Sequence, residues 1–83
     1  MEAFKIAHVC RTVRKIQRSL PRPTKHICDD KVCERAGIDE QELHAIQFEL
    51  LKQGRLHFER KLRQAKSGAV LGFTQYRWVK QAN

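Results

Sequence analysis

Long apolar runs, disulfide-forming cysteine sets and catalytic motifs are all missing from this 83-residue chain. No stretch approaches the roughly 18 consecutive apolar residues of a membrane span. The first residues also lack the charged start and long apolar core of a signal peptide, so we expect a cytoplasmic protein. At this length we predict one domain, covering residues 1–83.

The cysteines are odd in number, three in all. Cys10, Cys28 and Cys33 lie on or beside apolar helix positions, which favours free buried thiols over a disulfide framework. His8 and His26 each stand two residues before a cysteine, which raises the question of zinc. Structural zinc sites normally pair Cys or His two to four residues apart, whereas Cys28 and Cys33 are five apart. We therefore predict no metal and no cofactor.

Signatures of common enzymes are missing as well. The chain has no Gly-rich phosphate loop and no paired carboxylates away from helix starts, and it is too short for a sizeable cleft. Cys–His nucleophilic chemistry stays open on composition alone, but nothing in the sequence orients such a pair. We predict that the protein is not an enzyme.

Positive charge is what the chain has in excess. Lys and Arg number 17 against 9 for Asp and Glu, a formal net charge of +8 with a pI near 9.9. Such a balance favours polyanionic partners, DNA or RNA, with anionic membrane surfaces as an alternative.

Residues 3–20 are predicted to form an amphipathic helix. One stripe is apolar: Ile6, Val9, Cys10, Val13, Ile16 and Leu20. The opposite side is basic: Arg11, Arg14, Lys15 and Arg18. The basic side is either a solvated surface or a nucleic-acid contact. The spacing of the stripe also suits a homodimer through this helix, although it covers fewer heptads than a coiled coil needs.

Pro21 and Pro23 are predicted to end the first helix and to leave residues 24–28 as a short extended link. Alternation within the link would also suit a short strand. We do not include that strand in the predicted fold.

Two further helices are expected in residues 29–56. Asp29 or Asp30 is predicted to cap the first of them, which carries Val32 and Ala36, and Gly37 to end it in the left-handed conformation.

Asp39 is predicted to cap the next helix, because it stands three residues before Glu42 at capping-box spacing. Apolar residues then recur at helical intervals until Gly54: Leu43, Ile46, Leu50 and Leu51. Two helices joined by a tight Gly-containing turn indicate a helix-turn-helix.

After Gly54 the apolar period changes from helical to two. Leu56, Phe58 and Leu62 alternate with polar residues and predict a strand. Residues 63–69 are predicted to be a loop, and residues 70–80, rich in aromatic and branched side chains, a second strand. The two strands would form a hairpin with a basic tip.

In this order of elements the chain resembles the winged helix-turn-helix superfamily. The matching residues are Val32, Cys33, Gly37, Ile38, Leu43, Leu50, Gly54 and Leu56, followed by the hairpin. The resemblance implies an α+β fold of three helices followed by a two-stranded β-hairpin wing. Its short length is similar to that of small bacterial or phage regulators. It also implies that the third helix enters the major groove of double-stranded DNA while the hairpin contacts the backbone.

The predicted DNA-contacting residues fall into two sets. The outward strip of the third helix comprises Gln41, His44, Ala45, Phe48 and Lys52, whose side chains suit adenine edges, thymine methyls and phosphate. Further phosphate contacts are expected from cations elsewhere: Arg22, Lys25, Arg55, Lys61, Arg63 and Lys66. Phe48 has an alternative place in the core, and its exposure would favour a protein partner instead.

Acidic residues complicate a DNA function. Residues 29–49 hold seven of the nine acids and only two cations, a net −5, while the flanks carry +6 and +7. The predicted strip itself has no acid, and helix starts account for several of these carboxylates. Two alternatives therefore stay open beside a DNA-binding transcriptional regulator. One is an adaptor that binds a transcription or replication protein through residues 29–49 or Phe48, and the other is a structured-RNA binder that uses the basic flanks.

Overall fold

Six elements make up the computed structural model, which describes residues 2–80. They are α1 (Ala3–Arg18), β1 (Ile27–Cys28), α2 (Asp29–Ala36), α3 (Glu40–Lys52), β2 (Leu56–Gln64) and β3 (Val70–Trp78). The fold is α+β, with three helices and a three-stranded antiparallel sheet in the order β1-β3-β2. The three predicted helices are confirmed.

The predicted two-stranded sheet was one strand short. In β1, Ile27 pairs with Thr74 and Cys28 with Phe73, so the end of the proline-containing link forms the sheet's third strand. Two residues are too few for a reliable alternation signal, and the partner strand lies more than 40 residues away.

The amphipathic pattern of α1 is confirmed. Ile6, Val9, Val13 and Ile16 are all at most 6% exposed, and the helix ends at Arg18, slightly before the predicted end. Because this stripe is buried in the chain's own core, a homodimer through α1 would have to use another face of the helix.

The prediction that Asp29 or Asp30 caps α2 is wrong. The N-cap is Cys28, and no side chain caps the helix. Both aspartates lie in its first turn, where the helix dipole favours negative charge. At the other end Gly37 has φ +70°, as predicted, and its N–H donates to the carbonyl of Cys33 at 2.9 Å.

The start of α3 is also confirmed. Asp39 Oδ1 accepts a 2.7 Å hydrogen bond from the backbone N–H of Glu42. The helix packs its inward side against the core through Leu43, Ile46, Gln47 and Leu50. It ends at Lys52, and Gly54 follows with φ +72°.

The hairpin is longer and its turn shorter than predicted. β2 and β3 pair continuously from Leu56 opposite Trp78 to Gln64 opposite Val70. The turn therefore occupies residues 65–69 rather than 63–69, and Ala65 N–H closes it by donating to the carbonyl of Ala69 at 2.7 Å.

Side chains alternate between two faces of this sheet. The inner face packs against the helices and includes Leu56, Thr74 and Tyr76, all at most 2% exposed. The outer face points away from the helices and includes Lys61 and its cross-strand neighbour Phe73. The part of the hairpin nearest the turn has no buried residue, so it extends beyond the core into solvent.

One hydrophobic core connects all three helices to the sheet. Val13, Ile16, Val32, Ile46 and Leu56 lie at its centre with no exposed surface. Within residues 2–80, no helix has both the length and the apolar character needed to cross a bilayer.

Candidate nucleic-acid interface

The outward strip of α3 lies in solvent. Gln41, Ala45, Phe48 and Lys52 are exposed, as predicted, while the opposite side of the helix is in the core. Since Leu43, Ile46 and Leu50 fix the helix by burial, the outward direction of these four side chains follows from helical periodicity.

His44 is less available than predicted. Its side chain is 34% exposed, and its Nε2 atom lies 3.9 Å from Asp29 Oδ2 and 3.7 Å from Glu40 Oε1. The imidazole therefore faces two carboxylates at the side of the strip, and we leave it out of the exposed strip. The term "α3 strip" below means Gln41, Ala45, Phe48 and Lys52.

Phe48 is a surface residue, so its alternative place in the core is excluded. Its side chain is 59% exposed. Its ring meets that of Phe58 edge to face, with the ring centroids 5.8 Å apart, so β2 supports one side of it. Leu51, at 40% exposure on the same helix, adds to the apolar surface.

The hairpin cations are exposed but differ in position. Lys61 and Arg63 belong to strand β2, and only Lys66 lies in the turn. Arg63 was predicted in the loop. Strand alternation places Lys61 and Arg63 on the outer face of the sheet.

Four of the predicted phosphate-contacting cations line one groove. Arg22 and Lys25, from the link between α1 and β1, lie across from Lys61 and Arg63. The groove has a volume of about 620 Å³ and lies over the outer face of the sheet. We call it the outer groove. The sequence indicated these cations one by one, but only the fold brings them together.

Arg55 lies elsewhere. It lines a small depression with Arg14, Trp78 and Lys80, where the Arg14 guanidinium carbon is 4.5 Å from the centroid of the Trp78 ring. The predicted DNA-contacting residues therefore lie on separate surfaces: the α3 strip, the outer groove with the hairpin tip, and the depression lined by Arg55.

A buried polar cluster joins the helices to the sheet and was not predicted from the sequence. Asp29, at 1% exposure, accepts hydrogen bonds from Thr74 Oγ1 at 2.6 Å and from Arg60 Nε at 3.1 Å. Arg60 Nη2 also donates to Gln47 Oε1, and Gln47 Nε2 donates to the Tyr76 hydroxyl at 2.8 Å. The cluster ties α2 and α3 to both long strands. No local signal marks these pairs, because their members are 13 to 45 residues apart.

Two of the three thiols, those of Cys10 and Cys33, are not activated. Burial and the nearby Asp29 and Asp30 raise the pKa of Cys33 to about 11, and burial also raises the pKa of Cys10. Both are therefore protonated at neutral pH, whereas a nucleophilic or metal-binding cysteine is a thiolate.

One group of potential metal ligands occurs in residues 2–80, and it contains no cysteine. Ligand atoms of Asp29, Glu40 and His44 all lie within 4.8 Å of one another. Both oxygens of Asp29 already accept hydrogen bonds, from Thr74 and Arg60. A cation would have to compete with the Arg60 guanidinium for Asp29, whose carboxylate is already used within the polar cluster.

In the comparisons with known proteins, no family model, no curated protein and no solved structure matched the chain.

Proposed function

We propose that the protein is a DNA-binding transcriptional regulator of the winged helix-turn-helix type. In this proposal α3 enters the major groove of double-stranded DNA and the β2–β3 hairpin is the wing on the phosphate backbone. The observation that carries the proposal is the α3 strip, an exposed side of a well-anchored helix that holds polar, apolar and basic side chains and no carboxylate.

The order of elements supports it. A tight turn at Gly37 joins α2 to α3, as in a helix-turn-helix, and a long hairpin follows directly. The major groove, about 12 Å wide, admits a single helix. The hairpin projects beyond the core, so its cations are free to contact phosphates beside such a groove.

The side chains of the α3 strip suit base contacts. Gln41 has the amide that pairs bidentately with adenine, and Ala45 and Phe48 offer apolar contact to a thymine methyl. Well-made contacts of this kind discriminate by about 1–3 kcal/mol each. Arginine, the commonest base-contacting residue, is missing from the strip, so sequence preference would be modest.

Affinity would come mainly from phosphates. Lys52 ends α3, Lys66 lies in the turn of the hairpin, and Lys61 and Arg63 precede that turn. The acids beside the strip are partly offset, since Lys5 Nζ lies 3.1 Å from Glu42 Oε2. Binding that depends on a few cations falls steeply with salt, because each phosphate contact releases counterions.

The test is a fluorescence-anisotropy titration of random duplex DNA at two salt concentrations. We expect the wild type to bind at low salt and to weaken steeply as salt rises. A variant with Lys61, Arg63 and Lys66 all changed to Glu should not bind. The matched control changes Arg11, Arg14 and Arg18 to Glu, which reverses the same number of charges on α1 and should bind duplex DNA far better.

Two outcomes would contradict the proposal. One is a folded wild type that does not bind duplex DNA at low salt. The other is a loss that follows the α1 variant instead of the hairpin variant, which would favour structured RNA bound by the basic flanks.

The exposure of Phe48 favours a second candidate, an adaptor that binds another protein. An aromatic residue at 59% exposure beside Leu51 resembles the anchor of a protein interface. The acidic residues 29–49 would then suit a basic partner. Phe48→Ser separates the two candidates. It should weaken duplex binding in the first, whereas in the second any duplex binding is only the charge attraction of a chain of net charge +8 and should not change.

A further inference from the structure

The walls of the outer groove are held in place by hydrogen bonds. Gln17 Nε2 donates to the carbonyl of Pro23 at 2.8 Å, and Gln75 Nε2 donates to the carbonyl of Thr24 at 2.7 Å. These bonds attach the link between α1 and β1 to the first helix and to the sheet. The groove is therefore preformed, and its volume of about 620 Å³ lies within the range of roughly 300–1,000 Å³ found for ligand pockets.

The charged residues that line the outer groove are all basic. Four of the nine residues that line it are Arg22, Lys25, Lys61 and Arg63, and none of the nine is acidic. Within residues 2–80, none of these four cations forms an ion pair. An anionic ligand would therefore not have to displace an existing carboxylate.

One residue that lines the outer groove, Phe73, is aromatic. Phe73 is half-buried on the outer face, and the guanidinium carbon of Arg63 lies 5.9 Å from the centroid of its ring. His26 also lines the groove, and its Nε2 atom is buried without a hydrogen-bond partner in the described part of the chain. An aromatic ring among cations is the arrangement that holds single-stranded nucleic acid, with bases stacked on the ring and phosphates on the cations.

We infer that the outer groove binds single-stranded nucleic acid, stacking an unpaired base on Phe73 and holding the adjoining phosphates with Arg22, Lys25, Lys61 and Arg63. This site goes beyond duplex binding by the α3 strip, because it lies on the face of the sheet opposite the helices. A duplex keeps its bases stacked and has none to place on Phe73, so the ligand is an unpaired segment.

The experiment uses the full chain and three labelled probes of equal length in anisotropy titrations. They are oligothymidylate, oligouridylate and an oligodeoxynucleotide without bases. We expect the wild type to bind the first two more tightly than the abasic strand, and the stronger of the two shows whether a thymine DNA strand or a uracil RNA strand is preferred. The logarithm of affinity should fall with the logarithm of salt with a slope of about −3, as four phosphate contacts on a single strand predict.

Phe73→Leu keeps an apolar side chain but removes the ring. It should weaken oligothymidylate binding by about 5- to 150-fold, the effect of losing one stacked base, whereas Phe73→Trp, which keeps an aromatic ring, should bind as the wild type does. Lys25→Glu should weaken all three probes and make the salt slope shallower. Circular dichroism and thermal melting establish that each variant is folded.

Phe48→Leu and Lys66→Glu are the matched controls. Phe48 is an exposed aromatic on α3, and Lys66 is a cation of the hairpin turn that does not line the groove. Both should weaken duplex binding and leave oligothymidylate binding unchanged, while Phe73→Leu should do the reverse. This separation also distinguishes failure of the single-strand site from failure of the proposed duplex function.

Three results would overturn the inference. The first is that the abasic strand binds the wild type as tightly as oligothymidylate does, which would show that no base is stacked. The second is that Phe73→Leu and Phe48→Leu weaken binding of the single strand equally. The third is that neither oligothymidylate nor oligouridylate binds the folded wild type at low salt.

Discussion

Thr74 Oγ1 donates a 2.6 Å hydrogen bond to Asp29 Oδ1, although the two residues are 45 apart in sequence. Both are at most 1% exposed. Arg60 binds the other oxygen of the same carboxylate, at 3.1 Å. The first turn of α2 is thereby attached to both long strands, which fixes α2 and the adjoining α3 relative to the hairpin. In the proposed function, that relation sets the position of the wing beside the α3 strip.

Asp29→Ala should lower the free energy of unfolding by about 3 kcal/mol. Breaking a buried ion pair costs about 3–5 kcal/mol, and the low end applies here because the Arg60 side chain is 20% exposed. Urea unfolding followed by the fluorescence of Trp78, the single tryptophan, measures it. Asp30→Ala is the control, since it removes the same charge from the same turn at an exposed position and should cost less than about 1 kcal/mol. Equal costs would show that the Asp29 carboxylate does not join helix and sheet.

Gly72→Ala should destabilise the protein by about 1–3 kcal/mol through overpacking. A Cβ at position 72 would lie 2.5 Å from Asp29 Oδ2, which is too close for either group. Without this contact the change would be expected to stabilise a strand by about 0.5–1 kcal/mol. A double-mutant cycle with Asp29→Ala tests the cause, because the cost at position 72 should shrink once the carboxylate is gone. Additive costs would contradict it.

Gly37→Ala should cost about 1 kcal/mol by backbone strain alone. Gly37 has φ +70°, and an added Cβ meets nothing within 4 Å. Gly37→Asn should cost less, because asparagine tolerates the left-handed conformation better than alanine does. Thermal melting of the two variants measures the difference. A larger loss in the asparagine variant would indicate that steric crowding, rather than conformation, matters at this turn.

Stability should fall as the pH rises above about 10, the ordinary pKa of tyrosine. Burial raises the pKa of Tyr76 far above that value, an effect larger than the opposing hydrogen bond from Gln47. The unfolded chain therefore releases the phenol proton first, and the folded state loses up to about 1.4 kcal/mol per pH unit. Cys33 acts in the same direction, because its pKa is raised to about 11.

Ultraviolet absorbance follows this titration directly, since Tyr76 is the single tyrosine. The native protein should show no phenolate at a pH where the urea-unfolded chain is fully ionised. Tyr76→Phe should flatten most of the alkaline loss of stability and leave the part that belongs to Cys33. A phenol that ionises near its ordinary pKa in the folded protein would contradict its burial against Gln47.

Much of the candidate interface was predictable residue by residue. The helical spacing of Leu43, Ile46 and Leu50 was enough to place Gln41 and Lys52 on the exposed side of α3. Helical periodicity also placed Phe48 in the outward strip, but it left the core open as an alternative, because the exposure of this ring depends on how closely Phe58 and the hairpin approach the helix. The approach of His44 to Asp29 was not predictable for a similar reason, since Asp29 comes from a different helix.

The sequence by itself determined the three helices, the left-handed turn at Gly37, the Asp39 cap and the two long strands. These features depend on periodicity, capping and glycine conformation, which act over a few neighbouring residues. Tertiary structure alone decided the third strand, the Asp29–Thr74 bond and the gathering of Arg22, Lys25, Lys61 and Arg63 around one groove. Each of these joins segments far apart in the chain, and such contacts form only when the common core brings the helices and the sheet together.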